Sequence, residues 1–259
     1  MKTSNLILLI LLLLCQCAND SKIANDSKIT KENKVGISPG SCFPEVSDKY
    51  IYPVTPGMEE WQTSDDIYKL VQLPDKILKS ISTSGLIDAL VNSPLFSGSY
   101  LLSSSSSPVD TWHRHYERFN CATELFQRKD AGNALVDYYE LVCFDCFESS
   151  GNPLDVKERI MGLEFLFTKQ EVLDKITHDK KQELVASFLE KYKQMPDDKY
   201  RVIPLLWIMH ADKYRPMEEY FTGKEDLLQT LLLAFVFPSD NQIDMIISFA
   251  KSFINEKSK

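Results

Sequence analysis

Two cysteines three apart, Cys143-Phe-Asp-Cys146, are the residues of this chain best spaced for short-range chemistry. Such a pair can cycle between dithiol and disulfide, or supply half of a zinc site. The redox form expects a preceding strand in a βαβ setting, whereas Tyr138 and Tyr139 place this pair on a helix. A zinc site needs a second cysteine pair or histidines at ligand spacing, and His113 and His115 stand two apart, on different faces of a helix. With Cys42 and Cys121, the pair makes four cysteines beyond position 17, which in an exported chain are disulfide candidates. Four thiols allow three connectivities. If 109–128 and 131–148 form an antiparallel hairpin about residue 131, Cys121 faces Cys143 and Cys42 is left for Cys146.

His113, His115, His178 and His210 are the whole histidine supply. His113 and His115 flank Arg114 beside Trp112, with Glu117 in reach, and a general base would be drawn from here; a solvated helix face is the plainer reading. His210 closes an apolar run, where a cation at a helix C-terminus is favourable. The acid pairs Asp65-Asp66 and Asp197-Asp198 are adjacent, and read as first-turn helix acids. There is no GxSxG elbow, no HExxH pair and, with nine glycines, no Gly-rich phosphate loop. No catalytic residue, metal site or cofactor is therefore expected. The enzyme alternative is a hydrolase or thiol-redox protein using His113/His115 or Cys143/Cys146.

Charge and the N-terminus indicate where the chain works. Acidic residues outnumber basic ones by 37 to 29, so nucleic acid is not an expected partner. Lys2 followed by the aliphatic run Leu6 to Leu14 has the form of a signal peptide, too short to span a bilayer as a helix. Its end, Leu14-Cys15-Gln16-Cys17, resembles the lipobox of bacterial lipoproteins, which implies cleavage after Gln16 and acylation, with palmitate among the chains, at Cys17. Ordinary signal-peptidase cleavage near Ala18 is the alternative. The hexad Ala-Asn-Asp-Ser-Lys-Ile then occurs twice, at 18–23 and 24–29. A polar hexad in tandem cannot pack a core, so 18–50 reads as a disordered tether that holds the body roughly 25–30 Å from the lipid surface.

The elements that must position these residues are helices. Pro56 to Phe96 carries a turn, the Trp61 anchor and three short helical phrases: one capped by Thr63 or Ser64, one opened by Pro74 and one capped by Ser82-Thr83-Ser84. Ser103 to Ser107 reads as a connector before the helix 109–128, which Pro108 and Asp110 open. Asp130 caps the next, and Gly151-Asn152-Pro153 is a weak boundary between modules at 51–148 and 149–259, expected to pack as one unit. Helices follow at 156–167, 169–176 and 180–192. Residues 202–210 and 227–237 are apolar all round and read as buried helices, and Ser239-Asp240 caps a final amphipathic one. The fold class is all-α, a multi-helix bundle or irregular helical array.

The phrases PGMEEW (56–61), QLPDKIL (72–78) and STSGLIDALVNSPLF (82–96), with RFN at 118–120 and LFQRKDAGNAL at 125–135, resemble a family of uncharacterised bacterial exported proteins, lipoprotein-like and helical. The resemblance covers about a third of the chain, with Gly85 where an acid is usual and Cys121 where glycine is usual. It implies a mostly helical exported protein and carries no catalytic residue over. The expected role is binding or scaffolding at the cell envelope, on the cell or outer membrane and periplasmic or surface-exposed, with the membrane as one partner through the lipid anchor and a protein as another.

Overall fold

Start signals stand before six of the fourteen described α-helices, and their side chains hold N–H groups that would otherwise be left unpaired. The computed structural model describes residues 41–96, 107–144, 152–195, 198–234 and 236–256. Among these are fourteen α-helices and one 3-10 turn, Lys199–Val202, and no β-strand, as the all-α reading expects. The leader with Cys15 and Cys17, the tandem hexad, residues 103–106, Cys146, Gly151 and Asp197 lie outside the described residues.

The helices of the first half are short: α1 (Glu59–Thr63), α2 (Ile67–Leu70), α3 (Asp75–Ser80), α4 (Thr83–Val91), α5 (Pro108–Tyr116), α6 (Asn120–Gln127) and α7 (Ala131–Glu140). Those of the second half are α8 (Pro153–Leu166), α9 (Gln170–Leu173), α10 (His178–Gln194), α11 (Ile203–Ala211), α12 (Arg215–Phe221), α13 (Glu225–Leu232) and α14 (Asp240–Phe253). Ser82 Oγ accepts from Gly85 N–H at 3.0 Å, and Ser107 and Thr177 likewise cap α5 and α10. Ser239 and Gln242 close a reciprocal capping box on α14. Asp66, rather than Ser64, caps α2, accepting from Tyr68 N–H at 3.1 Å.

One core runs through both halves, from Cys42 to Phe253. α4 lies at its centre, with every residue but Ser84 buried, against α6 and α7. α5 meets α8 at Gly162, where a Cβ would come within 2.6 Å of the Trp112 ring; the Tyr116 hydroxyl donates to the Gly162 carbonyl at 2.6 Å. Gly85 serves a similar close approach, because a Cβ there would stand 2.6 Å from the Asp48 carboxylate. That carboxylate accepts from Ser82 N–H at 2.5 Å and Ser82 Oγ at 2.8 Å. Glycine at position 85 is thus matched to a packed Asp48.

Several expectations are corrected. The body takes in residues 41–50 as well: Cys42 and Phe43 are buried, so these residues are not tether. The single helix 109–128 is two, because Asn120 is drawn out of line by Leu73; its side chain accepts from Leu73 N–H at 2.9 Å and donates to Leu73 C=O at 2.8 Å. α7 stops at Glu140, so Cys143 is not on a helix. The apolar run 227–237 is helical only to Leu232; Ala234 turns left-handed at φ 54°, and Val236 and Phe237 are exposed. α12, which carries Pro216 in its first turn, was not expected.

Candidate functional site

α5 presents its two histidines in opposite directions, His115 buried and His113 half-buried, each in a bonded position. His113 Nε2 lies 2.8 Å from Thr168 Oγ1, whose proton goes to Phe165 C=O at 2.7 Å, so the imidazole is the donor of that pair. Burial, with the neighbouring Lys169 charge, pushes His113 down to about 4. His115 Nδ1 lies 2.8 Å from the Tyr68 hydroxyl, and burial pushes it also to about 4. Its Nε2 is buried beside the Leu95 carbonyl without a well-aligned bond among the described residues. Arg118 stacks 3.3 Å above the Tyr68 ring and pairs with Asp66 at 3.4 Å. Glu117, the acid expected to assist these histidines, points elsewhere and meets Lys169 at 3.7 Å. The solvated-face reading of His113 and His115 is therefore corrected: Trp112, Phe119 and Trp207 rings surround them.

The cysteines are placed differently from the expected pairing. Cys121 is a free thiol, fully buried on α6, and burial pushes it up to about 12. Cys42 is a thiol as well, and Cys146 lies outside the described residues. The hairpin that motivated the Cys121–Cys143 pairing required one continuous helix through 128 and another through 148, and neither exists. No group of three or more His, Cys, Asp or Glu among the described residues is arranged to hold a metal ion.

Two polar clusters escaped the sequence. In the core, Arg201 and Glu164 are 2 % and 1 % exposed and form a bidentate pair, with Nη2 at 2.6 Å and Nε at 3.0 Å from the carboxylate oxygens. The Tyr139 hydroxyl donates to the same carboxylate at 2.7 Å, and Arg201 Nη1 donates to Lys191 C=O at 3.1 Å. These bonds join α7, α8, α10 and the 3-10 turn. The second cluster is His178 with Asp212 at 2.5 Å, where Asp212 also holds Lys181 at 3.1 Å. It ties the start of α10 to the end of α11. A lone charge inside an apolar phrase, as in Gly162-Leu-Glu164-Phe, was the one available signal.

A concave surface lies between α10 and α14. Ala186, Leu189 and Tyr192 line one wall, Ile247 and Ile254 the other, and Glu190, Lys193 and Lys251 form the rim of a cavity of about 450 Å³. On each helix these residues recur every three or four positions, so the two walls are parallel ridges about two turns long. Ser239 and Gln242 set where α14 begins, and Gln182 holds its far end, donating to Phe253 C=O at 2.7 Å and Glu256 C=O at 2.8 Å. The groove walls are thus fixed at both ends. Comparison with known protein families, curated proteins and solved structures finds no match.

Proposed function

We propose that this chain is an exported protein, acylated at Cys17, which works at the cell envelope as a binding or scaffolding module, with the α10/α14 groove as its docking face. The observation that carries the binding part is the groove itself: half-buried Ala186, Ile247 and Ile254 at helical spacing, above a floor of Leu189 and Tyr192. A third helix can seat its apolar stripe in such a cleft, as in helix-in-groove recognition. On the rim Lys193 pairs with Glu190 at 2.6 Å, and Lys251 favours a partner helix with an acid flanking that stripe. The export part is supported by Lys2, the Leu6 to Leu14 run, the lipobox-like Cys17 and the resemblance of Pro56 to Tyr139 to bacterial exported proteins. No helix among the described residues is long and apolar enough to cross a membrane.

Two measurements test the two parts separately. A photocrosslinker placed at position 247 in the full chain, at the native envelope, is expected to give a discrete protein adduct that disappears when Ala186→Glu is added. Adducts indifferent to Ala186→Glu argue against the groove. Palmitate labelling is expected in the unaltered chain and lost in Cys17→Ala; persistent label moves the anchor to Cys15, and an unlabelled parent chain means cleavage near Ala18.

A further inference from the structure

The backbone N–H of Cys143 donates to the carbonyl of Cys42 at 3.0 Å, joining two cysteines about a hundred positions apart. With standard covalent lengths, such a bond holds the two Cα atoms roughly 5–6.5 Å apart. That falls in the window of about 4.4–6.8 Å which a disulfide spans. We propose that Cys42 and Cys143 are a disulfide site, a clasp that locks the strap 41–52 onto the end of α7.

The surroundings suit the chemistry. Cys42 is buried under the same core that holds Phe43 and Tyr52, so its thiol is kept close to the body. Lys191 Nζ donates to Glu140 C=O at 3.2 Å and Val142 C=O at 2.9 Å, the latter belonging to the residue before Cys143. An ammonium there fixes the turn from which Cys143 projects. The thiolate of Cys143 attacks one sulfur of a disulfide donor such as glutathione disulfide, releasing one thiolate. Cys42, losing its proton, then attacks the mixed disulfide and releases the second. Two protein thiols are oxidised, and one donor disulfide is reduced to two thiols.

The site does not depend on where the chain resides, so the test is made on the purified full chain. After incubation with glutathione disulfide, unreduced peptides are mapped with cleavage between Phe144 and Asp145, which separates Cys143 from Cys146. The expected product links Cys42 to Cys143. It is absent from Cys42→Ser and from Cys143→Ser, and it forms several-fold more slowly in Lys191→Met. Closing a loop of this length should raise the thermal midpoint by about 10 °C over the reduced chain, with no rise in either serine variant. A Cys42–Cys146 link, a bridge to Cys121, or folded protein with Cys42 still reactive towards a thiol probe after unfolding would each overturn the assignment.

Discussion

The two halves of the molecule solve the same problem differently. Between Ser41 and Glu140 no helix exceeds ten residues, and many of their ends are held by side chains that reach to the backbone. Asn120 pairs with Leu73, Arg128 caps the end of α3 through Leu78 and Ile81 carbonyls at 3.0 and 2.7 Å, and the Tyr52 hydroxyl donates to Ala89 C=O at 2.9 Å. Between Pro153 and Phe253, α8, α10 and α14 run for 14, 17 and 14 residues and rely on apolar stripes, with one ion pair buried among them. Short helices spend a larger share of their residues on unpaired ends, so stitching matters more there. Both halves cap helix starts with side chains, but the first adds bonds between its short helices, whereas the second packs its long ones around the buried pair Glu164–Arg201.

The contrast is broken most forcefully at that pair. Arg201→Ala strands the Glu164 carboxylate and should cost about 3–5 kcal/mol in denaturant unfolding. Glu164→Leu combined with Arg201→Met should recover most of it, since two apolar groups leave no buried charge. If the double variant is as unstable as the single, the pair is more than a packing solution.

Acid is the next lever. His113 and His115 are pushed down to about 4 in the fold, against 6.5 for a free imidazole. The unfolded chain therefore binds more protons between these values, and stability falls as the pH drops from about 6.5 to about 4. With partial solvent exposure of His113 allowed for, the loss should be roughly 3 kcal/mol for the two together. Thermal unfolding of His113→Gln/His115→Gln should show a flatter slope in that window, whereas an unchanged slope would assign the acid sensitivity to other groups.

Asn120→Ala removes both bonds to Leu73 and should destabilise by about 2 kcal/mol, with Asn120→Asp recovering only the acceptor half. The smallest expected effect lies at the groove. Ile247→Glu is half exposed and should change stability by about 0.5 kcal/mol or less, while abolishing the partner adduct. A large stability loss there would make the groove wall core rather than docking face.

Legibility followed the range of the forces. The starts of α4, α10 and α14 are legible because Ser82, Thr177 and Ser239 bond three positions ahead, and that of α5 because Pro108 opens it, although Ser107, read as connector, is its cap. The break at Glu117–Phe119 could not, since it depends on Leu73, and neither could the end of α13 at Ala234, where a continuous apolar run hides a left-handed turn. The groove is half legible: Ser239-Asp240 marks an amphipathic final helix, but nothing local says which neighbour leaves Ile247 and Ile254 uncovered.

Taken alone, the order of residues determined that this chain is helical, where half of its helices begin, and which residues could be drawn on for chemistry. Caps and amphipathic stripes act within one or two turns, and a reader of the linear chain has that range in view. Tertiary structure alone decided that His113 meets Thr168 and His115 meets Tyr68, that Glu164 finds Arg201, and that Cys42 lies against Cys143. Each of these pairings spans from tens of residues to a hundred, and is set by how helices of fixed length cross in a shared core rather than by any neighbour in sequence.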